Sequence, residues 1–130
     1  SLFAGFGEAI GLLQEIGLEQ IQRRILDLSA QMVRSLASLS QVHLHSPLDD
    51  RGLPFSGLVT FSVKGMGGDN VLAELLEREK IIVRTVPQPE TFRYSLEEAI
   101  RPAGERVRAS INFFNTEEEI DRFVNRVRQL

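Results

Sequence analysis

The chain has 130 residues, 42% hydrophobic and 25% charged, with a formal net charge of −3. That suits one domain with one core and excludes a disordered tail or a general polyanion binder, so no nucleic-acid partner is expected. The absence of cysteine removes disulfides, thiolate metal sites and a cysteine nucleophile from this segment, and no apolar run approaches the roughly 20 residues that cross a bilayer, so a soluble, cytoplasmic chain with no membrane partner is expected.

The chain opens on Ser1 and an apolar, glycine-rich run, Leu2 to Gly7, that has no evident core of its own and reads as a cut edge. Over residues 8–16, Ala9, Ile10, Leu12, Leu13 and Ile16 fall at helical spacing until Gly17 interrupts them, which predicts a short helix ending in a hinge. Ile21, Ile25, Leu28, Met32, Leu36 and Leu39 then recur every three or four residues among charged positions. This predicts a long amphipathic helix.

Residues 42–46 and 58–63 alternate between apolar and polar side chains and predict two strands, the second with Val59, Phe61 and Val63 on one side. Gly65, Gly67 and Gly68 turn the chain into Asp69, the expected N-cap of a helix with Val71, Leu72, Leu75 and Leu76 as its apolar stripe. The β-branched run 81–86 predicts a third strand, and residues 87–104 a long connection, with one or two helical turns over 95–100.

Residues 107–114 alternate again, placing Val107, Ala109, Ile111 and Phe113 on one face and Arg108, Ser110 and Asn112 on the other. Thr116 and Glu119 stand at capping-box spacing ahead of a last helix that buries Ile120, Phe123, Val124 and Val127. The expected fold is α+β: a small, mainly antiparallel sheet of about four strands, covered on one face by helices and preceded by a long N-terminal connecting helix. A strand whose open face carries Arg, Ser and Asn is prepared to meet a ligand or another domain.

Three groups of residues carry a resemblance: Val83, Arg84 and Thr85; Arg108, Ala109 and Ser110; and the run Phe114, Asn115, Thr116, Glu117, Glu118, Glu119, Ile120, Asp121. In order and spacing they are similar to the closing motifs of the class V pyridoxal-phosphate (PLP) enzymes, the aminotransferase and cysteine-desulfurase superfamily of fold type I, and residues 11–21 resemble the helix joining that family's two domains. The resemblance implies that residues 1–17 are an interdomain linker and the start of the connecting helix, and that 18–130 are the C-terminal small domain. It further implies PLP in the full-length enzyme, an amino-acid substrate, a missing large domain as intramolecular partner, and a homodimer.

By the same resemblance Arg108 binds the substrate α-carboxylate, a task suited to a planar, permanently charged fork. Arg84 lies near the mouth of the active site. Arg93 is a minor alternative, because Phe92-Arg93-Tyr94-Ser95 echoes Val107-Arg108-Ala109-Ser110.

Neither Lys64 nor Lys80 matches the family's Schiff-base lysine, so no catalytic or cofactor-binding residue is assigned in this segment, no PLP is expected to bind to it alone, and it is expected to be inactive alone. The loop that holds a catalytic cysteine in cysteine desulfurases reads Val86-Pro87-Gln88-Pro89-Glu90-Thr91-Phe92-Arg93-Tyr94-Ser95 here. Its lack of cysteine disfavours desulfurase chemistry and leaves lyase, epimerase or aminotransferase chemistry open.

His43 and His45 share a strand face but gain no third ligand at useful spacing, so no metal site is assigned. The glycine turn 65–68 lacks phosphate-loop spacing. The alternative function is a free-standing α+β module that senses an amino acid on the same open face.

Overall fold

The computed structural model describes residues 2–86 and 106–130. The predicted turns at 95–100 and Arg93 lie outside these residues. Within the described residues eight elements follow one another: α1 (Leu2–Ile16), α2 (Leu18–Ala37), β1 (Val42–Leu44), β2 (Leu58–Val63), α3 (Gly68–Glu79), β3 (Arg84–Thr85), β4 (Arg106–Ser110) and α4 (Glu117–Arg128). The strands form one antiparallel sheet in the order β1-β2-β4-β3, as the α+β reading expects.

The apolar opening is helical from Leu2 rather than from residue 8, and α1 buries no residue. Gly17 separates it from α2 at φ 95°, a left-handed conformation that a side chain would strain. From there α2 lays Leu28, Met32, Val33 and Leu36 on the sheet beside Val71 and Leu75 of α3 and Ile120, Phe123, Val124 and Val127 of α4. The sheet answers with Val59, Phe61, Val63, Val107 and Ala109. Phe61 meets Phe123 edge to face at 5.8 Å, a geometry favoured by the ring quadrupoles.

Strand ends differ from the alternation pattern for identifiable reasons. β1 stops at Leu44 because the N–H groups of His45 (2.8 Å) and Ser46 (3.3 Å) both donate to the Thr60 carbonyl, so two residues oppose one in a bulge. β3 is confined to Arg84–Thr85; Lys80 adopts a left-handed φ of 58° at the end of α3, and the Ile81 N–H donates to Leu75 O at 3.1 Å. The first residue of the predicted strand therefore caps a helix instead of pairing.

β4 begins at Arg106 and ends at Ser110. Beyond it the Asn112 side chain accepts from Phe113 N–H (2.8 Å) and the Asn115 side chain from Asn112 N–H (2.8 Å), closing a turn by local side-chain bonds that compete with the ladder. Ile111 stays buried, but Phe113 is only half-buried.

Two helix details also change. Gly67, not Asp69, is the N-cap of α3, and Leu76 lies 41% exposed on the outer side of its helix. The capping box at α4 forms as expected, with Glu119 N–H donating to Thr116 Oγ1 (3.2 Å) and Thr116 N–H to Glu119 Oε2 (3.1 Å). The Asn115 side-chain amide, and after it the Thr116 N–H, donate to the Glu119 carboxyl and hold it below its usual range.

Candidate functional site

Packing Val107 and Ala109 into the core sends the alternate β4 residues, Arg106, Arg108 and Ser110, to the opposite side of the sheet. The ladders align them in rows. His43, Ser62 and Arg106 make one row across β1, β2 and β4, and Thr60, Arg108 and Arg84 make the next across β2, β4 and β3. Leu58 and Ser110 make a third.

Arg84 and Arg108 are thus direct cross-strand partners on the face that the helices leave open. The Val86 N–H donates to Arg106 O at 3.0 Å, so 86 and 106 are a hydrogen-bonded pair. By the alternation of antiparallel ladders 84 and 108 are one as well, with Cα atoms about 5.5 Å apart. Both arginines are exposed, and among the described residues neither guanidinium is hydrogen-bonded or ion-paired. The four strands carry no Asp or Glu, and like charges placed directly opposite repel. The chemistry this arrangement offers is the binding of an anion.

Sequence alternation placed Arg108 on this face. It missed Arg106, because the strand was expected to start one residue later, and it could not reveal that Arg84 stands opposite Arg108. His43 of β1 and His45 just beyond it stack edge to face at 4.7 Å, and His45 Nε2 is 2.9 Å from Ser62 Oγ. Among the described residues no cluster of three possible metal ligands exists.

The turn below Arg108 is held from outside the sheet. Arg24 of α2 clasps the Glu117 carboxylate with both terminal nitrogens and donates to Asn115 O at 3.0 Å. The Arg24 bond and the helix's own N–H bring the Glu117 carboxyl down from 4.5 to about 2. Elsewhere, a groove of about 470 Å³ opens where residues 81–83 leave β4, with Met32, Ile82, Phe114 and Phe123 among its lining and neither Arg84 nor Arg108.

Lys64 is exposed in the turn after β2. Lys80, also exposed, donates to Glu77 O at 3.4 Å. Neither lysine lies on the strands that carry the arginines.

A family model described as aminotransferase class-V matches residues 1–123. A probable cysteine desulfurase of Xylella fastidiosa is 28% identical over 125 residues, covering 94% of this chain and 27% of its own length. Another from Synechocystis is 29% identical over 118 residues, covering 91% and 27%. The chain therefore spans about a quarter of the length of these curated relatives.

Among solved structures, the cystine C-S lyase C-DES in complex with its product cysteine persulfide superposes with a TM-score of 0.70 at 27% identity, covering 94% of this chain and 27% of that one. A variant of C-DES carries glycine covalently linked to the PLP cofactor. The sugar aminotransferase CalS13 of Micromonospora echinospora, at 20% identity, shares the fold with a TM-score of 0.71 over 95% of this chain and 34% of its own.

Proposed function

Because this chain belongs to the class-V aminotransferase family, we propose that it is the small domain, residues 18–130 with 1–17 as linker, of a longer PLP-dependent enzyme acting on an amino acid, and that Arg108 holds the substrate α-carboxylate. The observation that carries this reading is the position of Arg108: mid-strand on the open face, exposed and unpartnered among the described residues, in the motif where the family's carboxylate-binding arginine stands. Its two parallel N–H donors fit both oxygens of a carboxylate and orient the amino acid as well as bind it. Arg84, directly opposite, adds a second positive charge at the same place.

The cofactor does not fit the lysines of this chain. Lys80 holds a helix end and Lys64 a turn, both in the open; on the family resemblance we assign the groups that bind PLP to the remainder of the enzyme, and no step through PLP is assigned to these residues. Nor can this segment carry a persulfide on a cysteine, since it has none. That favours lyase, epimerase or aminotransferase chemistry over desulfurase chemistry, and the likeness to C-DES, a cystine C-S lyase, supports lyase chemistry among these.

The test is substrate affinity in the full-length, PLP-loaded enzyme. Arg108→Lys keeps the charge and loses the fork; Arg108→Ala loses both. A bidentate charged contact contributes on the order of 2–4 kcal/mol, so the alanine variant should bind amino acid far more weakly, the lysine variant less so, and both should retain cofactor and fold. Unchanged affinity in Arg108→Ala would overturn the assignment.

A further inference from the structure

We infer that the amino acid bound at this face carries a second acidic group, and that Arg84 receives it while Arg108 holds the α-carboxylate; this rests on the reading of Arg108 given above. The ladder makes Arg84 and Arg108 direct partners, which places two permanent positive charges side by side. Among the described residues the neighbouring strand positions offer no negative charge to offset them: Thr60 lies across from Arg108 on the other side, Leu58 faces Ser110, and Ser62 faces Arg106. The four strands hold no carboxylate, although acids outnumber bases in the whole chain, 18 to 15.

A lone α-carboxylate cancels one of these two charges and leaves the other facing the ligand. A second acidic group on the same ligand cancels it too. The geometry also suits two anions better than one. Adjacent strands lie about 4.8 Å apart, and each guanidinium presents its own planar fork, so two forks projecting from neighbouring strands meet two carboxylates separated by a short carbon chain. Binding both orients the substrate along the row from β4 to β3. A neutral analogue of the same shape leaves a guanidinium facing an uncharged group, which is how such a site discriminates.

The experiment measures dissociation constants, in the full-length PLP-loaded enzyme, for two matched pairs that differ in the distal charge: L-glutamate with L-glutamine, and L-aspartate with L-asparagine. In the parent enzyme at least one acid should bind about tenfold or more tightly than its amide, as expected for one charge-assisted contact. Arg84→Gln should abolish that preference by weakening the acid while leaving the amide within about twofold. Arg108→Gln should weaken both members of a pair alike.

If neither acid is preferred over its amide, or if Arg84→Gln weakens acid and amide equally, Arg84 shares the α-carboxylate and the inference is overturned while the role of Arg108 stands. If Arg108→Gln changes nothing, the underlying reading fails with it. Circular dichroism and cofactor absorbance of both variants show that fold and loading are intact.

Discussion

Arg24 in α2 and Glu117 in the first turn of α4, 93 residues apart in sequence, are joined by a two-pronged ion pair. The pair pins α2 to the turn that follows β4, and so helps set the position of the strand that bears Arg108. Glu117 also sits where the helix dipole favours a negative charge.

This pair predicts a specific pH dependence. The Glu117 carboxyl lies at about 2 instead of 4.5, chiefly through Arg24, so the unfolded chain takes up its proton first as pH falls. The contribution is therefore complete above about 4.5 and is lost as pH falls towards 2. A carboxyl-carbon NMR titration should place the Glu117 midpoint near 2 in the parent and nearer the ordinary value in Arg24→Gln. In melting curves, Glu117→Gln should lower the midpoint at neutral pH by an amount that shrinks below pH 4.5.

Gly57 should tolerate no side chain. A Cβ there would lie 2.4 Å from Ile111 O and 2.8 Å from Ile25 Cγ2, while the Ile111 N–H donates to Gly57 O at 2.8 Å. Because a backbone carbonyl is the obstacle, Gly57→Ala should cost about 1–3 kcal/mol, read as a lower urea midpoint at unchanged slope. Gly5→Ala, in open space within α1, is the control and should cost nothing.

Lys80 offers the reverse test. It is the one non-glycine among the described residues with positive φ, 58°, and a left-handed residue with a Cβ is strained by roughly 1–2 kcal/mol. Lys80→Gly should raise the melting temperature, whereas Lys80→Ala should not. Equal effects of the two substitutions would place the cause in the lost charge instead.

α1 should make the isolated chain self-associate. It buries none of its residues, and Leu2, Phe3, Phe6 and Leu12 are all more than half exposed, a patch that soluble monomers rarely leave open. Sedimentation should show concentration-dependent assembly of the parent, relieved by the double substitution Phe3→Ser, Phe6→Ser. A parent chain that stays monomeric at high concentration would count against it.

Much of the fold was legible because its rules are local. Alternation with a period of two assigned Val59, Phe61, Val63, Val107 and Ala109 to the core, the helical period did the same for α2 and α4, and the Thr116–Glu119 spacing announced the capping box. The face of Arg108 follows from the same alternation. Only the tertiary structure decided where those strands stop and what lies beside them. The bulge at His45 and Ser46 ends β1 by putting two N–H groups on one carbonyl, the helix cap at Lys80 and Ile81 delays the start of β3, and the asparagine turn after Ser110 ends β4 by spending N–H groups on side chains. The juxtaposition of Arg84 with Arg108, and of Arg24 with Glu117, joins residues far apart in the chain. Such pairings depend on the register in which buried faces pack, which no single segment encodes on its own.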